Sequence, residues 1–138
     1  MKHIAVVEDE DMMREELEAI LQKAGYQTSG ITDFENAAAA ILAASPDLVL
    51  LDIMLPVMDG WQVCREVRKF SDKPIIMLTA RVTDSDKILG LTIGADDYIT
   101  KPFNPLEVTA RVKTVLRRCR RGAETIDEMD IRGLTINR

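Results

Sequence analysis

Hydrophobic and polar positions along the chain switch repeatedly between two periods. Five short apolar runs, rich in β-branched residues, lie at 3–7, 26–31, 48–51, 74–78 and 97–100. Runs of this length and composition predict strands. The third and fourth are continuously apolar, the pattern of parallel strands covered by helices on both faces. Between the runs, apolar positions recur at helical spacing. In the first such segment Met13, Leu17, Ile20, Leu21 and Ala24 share a face, Glu15, Glu16 and Gln22 lie opposite, and Gly25 marks the stop. A second runs from about Asp33 through the alanine tract to Leu42 and ends at Pro46. A third is opened by Asp59 with Gln62 three residues on, a capping box ahead of Val63 and Val67. Residues 84–93, closed by Gly94, predict a fourth helix. For the fifth, Asn104 caps, Pro105 takes the first helical position and Glu107 completes the box, with Leu106, Val112, Val115 and Leu116 as apolar positions.

Strand and helix alternate five times, and right-handed crossovers then imply an α/β fold with a doubly wound parallel sheet and helices on both faces. The expected strand order is 2-1-3-4-5. Its switch point lies between strands one and three, where ligands sit beyond the carboxyl ends of the strands. The chemistry is therefore expected in the loops after Val7, Leu51, Leu78 and Thr100.

Composition narrows the class. With 138 residues, 46% apolar and 30% charged, the chain has the length and make-up of one soluble globular domain. A domain of this size buries roughly two thirds of its unfolded surface and needs no disulfide or structural metal. Cys64 and Cys119 are too few and too far apart for either, which points to a reducing compartment. The balance of 18 Lys+Arg against 23 Asp+Glu is the wrong sign for holding nucleic acid by its phosphates. No apolar run approaches the roughly 20 residues needed to cross a bilayer, and the N-terminal apolar run is too short for a signal peptide. A cytoplasmic protein without membrane contact is expected. After Arg118 a basic run ending in Gly122 gives way to an acidic stretch. We therefore expect a domain over 1–119, a linker over 120–130, and in 131–138 a single strand with nothing left to pair with, the mark of a truncation.

The strand ends carry Glu8, Asp9, Glu10 and Asp11 after strand one, Asp52 after strand three, Thr79 after strand four and Lys101 after strand five. Taken singly, each has an ordinary explanation: Glu8 and Asp9 as acids at a helix start, Asp52 as a loop carboxylate, Thr79 as a strand-end hydroxyl, Lys101 as a solvated cation. Taken together they do not, because the topology gathers three carboxylates, and like charges a few ångströms apart destabilise a fold unless something neutralises them. An all-oxygen set without histidine or thiol suits Mg2+ and argues against zinc or copper. His3, the one histidine, reads as a strand-one residue. A hydroxyl and an ammonium beside such a site supply the parts of phosphoryl transfer, and Asp52 at the end of the central strand is the candidate nucleophile.

At these residues the chain strongly resembles the receiver domain of bacterial two-component response regulators, within the OmpR/PhoB-like winged-helix transcription-factor subfamily. The likeness covers 3 to about 119 and rests on Val7-Glu8-Asp9-Glu10, Leu50-Leu51-Asp52-Ile53-Met54-Leu55-Pro56 with Asp59-Gly60, Leu78-Thr79-Ala80-Arg81, and the run from Gly94 to Phe103. The family's fold is the flavodoxin-like (βα)5 sheet in the order 2-1-3-4-5, so that order is not an independent finding. The resemblance implies that Asp52 accepts a phosphoryl group from a sensor histidine kinase. It implies that Asp9, Asp52 and the Met54 backbone carbonyl hold Mg2+, with Glu8 acting through a water. Lys101 and Thr79 match the phosphate-binding pair, Lys101–Pro102 is expected to be cis, and Thr79 with Tyr98 would form the switch between two pre-existing states. Such a domain is no enzyme beyond its own phosphorylation and slow dephosphorylation.

The subfamily likeness further implies a homodimer, when phosphorylated, through the fourth helix, fifth strand and fifth helix. Lys87 would pair with Glu107, Asp96 with Arg118 and Asp97 with Arg111, around an apolar patch of Ile88, Leu91 and Ala110, with complementary charge setting the register. Residues 131–138 resemble the first strand of a winged-helix DNA-binding domain, so DNA contact would belong to a domain absent from this chain. A stand-alone receiver that relays phosphate or binds a partner is the alternative. A haloacid-dehalogenase-like phosphatase fits less well, because its second aspartate falls at Met54, and a P-loop enzyme lacks its glycine-rich loop.

Overall fold

The structure, a computed structural model, describes residues 1–79 and 94–128. Five strands, β1 (His3–Val7), β2 (Gln27–Ile31), β3 (Leu48–Asp52), β4 (Ile75–Thr79) and β5 (Asp97–Thr100), form one parallel sheet in the order β2-β1-β3-β4-β5. The helices are α1 (Asp11–Lys23), α2 (Ala37–Ala44), α3 (Gly60–Arg68) and α4 (Pro105–Glu128), the last being the helix expected as the fifth. The expected fourth helix over 84–93 lies outside the described residues, as do Ala80, Arg81 and the tail 131–138.

Strand periodicity divides the core into two layers. Ile4 and Val6, Leu48 and Leu50, Ile76 and Leu78 point to one face, where Leu17 and Leu21 of α1 and Val108, Val112 and Val115 of α4 cover them. Ala5 and Val7, Val49 and Leu51, Ile75 and Met77 point to the other, against Ala37, Ala38 and Ile41 of α2 and Val63 and Val67 of α3. β3 and β4 are buried along their whole length, which is why their sequences run without polar alternation.

Local signals set the helix starts. The Asp59 carboxylate accepts the Gln62 N–H at 2.9 Å, and the Asn104 side chain accepts the Leu106 N–H at 2.8 Å with Pro105 at the first helical position. Asp33 likewise accepts from Asn36, but the turn it opens is a separate 3-10 segment (Phe34–Asn36) ahead of α2. α2 ends on Ser45 in the left-handed region (φ 51°), directly before Pro46.

Two expectations are corrected. Leu106 is 81% exposed, and Val108 takes its place in the core. Counting back one turn from Val112 reaches Val108, whereas Leu106 falls on the opposite side of the first turn. Ala24 is exposed at the C-terminal end of α1, beyond the last turn that faces the sheet. Helix α4 runs on to Glu128, across residues 120–128 of the expected linker. Arginine and glutamate recur in that stretch and are good helix formers, against which a single Gly122 costs about 1 kcal/mol.

These placements separate core from surface in a measurable way. Leu50→Ala should lower unfolding stability by about 2–5 kcal/mol, and Leu106→Ala by less than about 0.5 kcal/mol, in denaturant titration. Equal losses would contradict the placement of Leu106.

Candidate functional site

The carboxyl ends of β1, β3 and β5 bring residues 44 or more positions apart into one cluster. Asp52 closes β3 in register with Leu78 of β4, and Thr79 closes β4 opposite Thr100 of β5. The Lys101 N–H then donates to the Thr79 carbonyl at 2.6 Å, which carries the sheet pairing up to the lysine. Glu8 and Asp52 are each 1% exposed and Thr79 is 7% exposed.

Within this cluster the Lys101 ammonium donates to Asp52 Oδ2 at 3.0 Å and lies 3.1 Å from Glu8 Oε1. The Met54 N–H donates to Asp52 Oδ1 at 3.1 Å, so both oxygens of Asp52 are held. Glu8 Oε2 accepts the Glu10 N–H at 3.2 Å. Its Oε1 is buried with the lysine as a charge neighbour but with no donor aligned on it. Asp9 is exposed at the mouth of the site. One carboxylate oxygen from each of Glu8, Asp9 and Asp52 falls within 4.8 Å of the others.

The electrostatics follow from this crowding. Burial first, and the negative charge of Asp52 second, push the Glu8 carboxyl up from 4.5 to about 7, against the pull of the Glu10 N–H and Lys101. Burial alone would lower Lys101, but its hydrogen bond to Asp52 and its close charge contacts with Asp52 and Glu8 more than offset that and raise it.

Three acids cluster here, two of them share one ammonium, and the buried Glu8 Oε1 lacks an aligned donor. A divalent cation fits what is present: the donors are all oxygen, one edge of the set is open to solvent at Asp9, and histidine and cysteine lie elsewhere. His3 is at the other end of β1, bonded through Nε2 to the Ser29 hydroxyl at 2.6 Å, and Cys64 is buried in the core, where burial pushes its thiol up to about 11.

The loop after β3 is tight enough to demand glycine at one point. A Cβ on Gly60 would lie 2.3 Å from the Asp52 carbonyl oxygen and 2.7 Å from the Ile53 Cα. The start of α3 thus packs directly on the backbone that carries Asp52. Asp59-Gly60 stands among the recognised motifs, but a motif does not reveal this contact. Arg14 was missed altogether by sequence reasoning. Its guanidinium holds the Glu8 carbonyl at 2.7 Å, and the signal that could have found it is an arginine three residues after the acid run on the same helical turn.

Residues 4–113 match the response regulator receiver domain family. The chain belongs to that family. Over 117 residues, 85% of its length, the receiver is 50% identical to the transcriptional regulatory protein BaeR of Escherichia coli O6:H1, and it spans 49% of that relative. It thus covers about half the length of the curated relative it matches. Among solved structures, the BeF3-activated N-terminal receiver domain of Klebsiella pneumoniae RstA is 38% identical, with a TM-score of 0.78 over 83% of this chain and 98% of that one. A two-component response regulator from Clostridium difficile is 29% identical, with a TM-score of 0.80 over 86% and 98%.

Elsewhere in the receiver, Tyr98 on β5 is half-buried and meets Trp61 of α3 edge to face, with ring centroids 6.2 Å apart. The Lys101–Pro102 bond is cis. Among the charges expected to pair between two copies, several have partners within one chain. Arg111 Nη1 holds both oxygens of Asp97 at 3.0 Å and its Nε holds Glu107 at 3.1 Å, while Asp96 accepts from Arg68 at 2.7 Å and from the Ile75 N–H at 2.9 Å. Asp97 with Arg111 is thus also an intrachain pair, because one helical turn past Glu107 sets the guanidinium against the start of β5. Arg118 and Ala110 are exposed, and Lys87, Ile88 and Leu91 lie outside the described residues. Among the described residues no helix is long and apolar enough to cross a membrane.

The raised Glu8 carboxyl sets a pH dependence. Its proton is held more tightly in the folded state than in the unfolded one, so folding is favoured at low pH and that advantage is lost as pH rises from about 4.5 to about 7. In the absence of divalent ions, stability should fall over this window, and Glu8→Gln should flatten the fall when denaturation midpoints are compared at pH 5 and pH 8. An unchanged slope in the variant would contradict the assignment.

Proposed function

We propose that Asp52 is the residue through which this receiver is switched, accepting a phosphoryl group from the phosphohistidine of a sensor kinase. The observation that carries the reading is the setting of its carboxylate: buried, with Oδ2 on the Lys101 ammonium, Oδ1 on the Met54 N–H, and Glu8 and Asp9 alongside. In the transfer a carboxylate oxygen of Asp52 attacks phosphorus, the phosphorus–nitrogen bond breaks, and its electron pair stays on the imidazole. The product is an acyl phosphate. Lys101 releases its hold on the carboxylate to meet a phosphoryl oxygen, and the Thr79 hydroxyl meets another.

Mg2+ held by Asp9, Asp52 and the Met54 carbonyl, with Glu8 acting through a water, would neutralise charge developing on the phosphoryl oxygens. Glu8 and Asp52 need such a counter-charge because one lysine serves them both. The receiver turns over no separate substrate in this reading. It catalyses only its own phosphorylation and slow dephosphorylation.

Thr79 drawn toward the phosphoryl group changes the end of β4, and Tyr98 on the neighbouring β5, against Trp61 of α3, is placed to respond. We read the output as a homodimer through residues 84–93, β5 and α4, in which Lys87, Asp96, Asp97, Glu107, Arg111 and Arg118 choose the partner around Ile88, Leu91 and Ala110. The intrachain Asp97–Arg111 pair would then be exchanged for a like pair between copies, so one ion pair replaces another. The likeness to BaeR, of whose length the match spans 49%, supports control of transcription through an effector domain of the winged-helix kind, in the cytoplasm. A phosphatase of the haloacid-dehalogenase kind is disfavoured by Met54 at the position of its second aspartate.

Two experiments test the two steps. A small phosphodonor with Mg2+ should add one phosphoryl group by intact-mass analysis, and Asp52→Asn should abolish it. Beryllofluoride should raise the dimer fraction in light scattering, and Arg111→Glu should weaken that response. Labelling that survives Asp52→Asn, or an unchanged mass on activation, would refute the corresponding step.

A further inference from the structure

The loop from β1 into α1 carries four successive acids, Glu8, Asp9, Glu10 and Asp11, and two of them face Asp52. Consecutive like charges repel, so a loop of this composition holds one shape only if something grips it. Arg14 grips it with two side-chain contacts, beside the ordinary first-turn backbone bond of α1. Its Nη1 donates to the Glu8 carbonyl at 2.7 Å, its Nη2 pairs with the Asp11 carboxylate, and its backbone N–H bonds to the Glu10 carbonyl at 2.9 Å. The side chain is only 12% exposed, unusual for an arginine.

Its seat is built on β2. Gly30, in register with Val6, leaves the space: a Cβ there would lie 3.2 Å from Arg14 Cδ and 2.7 Å from Glu18 Oε2. Arg14 therefore lies across the end of the sheet beside the acidic loop, bonded to neither Asp52 nor Lys101.

We infer that Arg14 is a positioning residue for the cation site: seated over Gly30, its guanidinium fixes the Glu8 carbonyl and so the directions in which Glu8 and Asp9 present their carboxylates. The inference rests on the reading of Glu8, Asp9 and Asp52 as the site of a divalent cation. It makes a prediction opposite in sign to simple charge counting. Removing a cation and leaving Asp11 unpaired makes the neighbourhood more negative, so Coulomb's law alone predicts tighter cation binding. Loss of positioning predicts weaker binding, since groups that only orient a metal's ligands are typically worth about 10-fold or more in affinity.

The test is a titration of the whole chain with Mn2+, counting free ion by electron paramagnetic resonance, with Mg2+ as competitor. Wild type should bind one ion in competition with Mg2+, and Asp9→Ala should lose it. A wild type that binds none overturns the cation-site reading itself. Given wild-type binding, Arg14→Ala should raise the dissociation constant about 10-fold. Arg14→Lys keeps the charge but cannot span the Glu8 carbonyl and Asp11 together, so it should also bind more weakly than wild type, by a smaller factor. If Arg14→Ala does not fold, Arg14→Lys decides alone. Wild-type or tighter affinity in a folded variant, even with a lowered melting temperature, would show that Arg14 only stabilises the fold and would overturn the inference.

Discussion

Two carboxylates buried at the end of a parallel sheet share one lysine, and much else in the molecule follows from that shortage of positive charge. Lys101 reaches Asp52 at 3.0 Å and Glu8 at 3.1 Å, and Asp9 adds a third acid from the rim. A fold that sought only stability would not keep them, since uncompensated buried charge is among the costliest things a core can hold. The cost is partly met by a proton, with Glu8 raised to about 7, and it is met more fully by any cation that enters. The same imbalance is what the proposed phosphoryl transfer would use: an ammonium already in place, acids that could hold a metal, and a carboxylate whose oxygens are both fixed.

The sheet makes that arrangement possible. Parallel pairing of β1, β3, β4 and β5 aligns their carboxyl ends, so Glu8, Asp52, Thr79 and Lys101 meet although the chain between them is long. Backbone contacts then fix details that the topology leaves loose. Gly60 lies against the Asp52 carbonyl, the Thr79 carbonyl holds the Lys101 N–H, and Arg14 holds the carbonyl of Glu8. The backbone at the site is thereby tied directly to α3, β5 and α1.

Much of this was legible in the sequence because it depends on short-range signals. The limits of β1 and β5, the caps at Asp59 and Asn104 and the continuous apolar runs of β3 and β4 follow from period, capping chemistry and burial on both faces. The acid cluster was legible once the strand ends were placed. What was not legible depends on side-chain direction or on partners distant in sequence. Leu106 and Val108 differ by two positions on one helix, and only the direction of α4 against the sheet decides which is buried. Arg14 looks like a surface arginine until Gly30 is seen beneath it. Asp96 and Asp97 find Arg68 and Arg111 within the chain, a choice that charge patterning alone leaves open.

The central claim is that Glu8 and Asp52 form a charge-frustrated pair awaiting a cation. The most direct test is the titration of the Glu8 side-chain carboxyl by 13C NMR, with and without Mg2+. The account predicts a midpoint near 7 in the absence of the ion and a marked fall when it is added, because the cation favours the charged form. A midpoint near 4.5, unmoved by Mg2+, would contradict it.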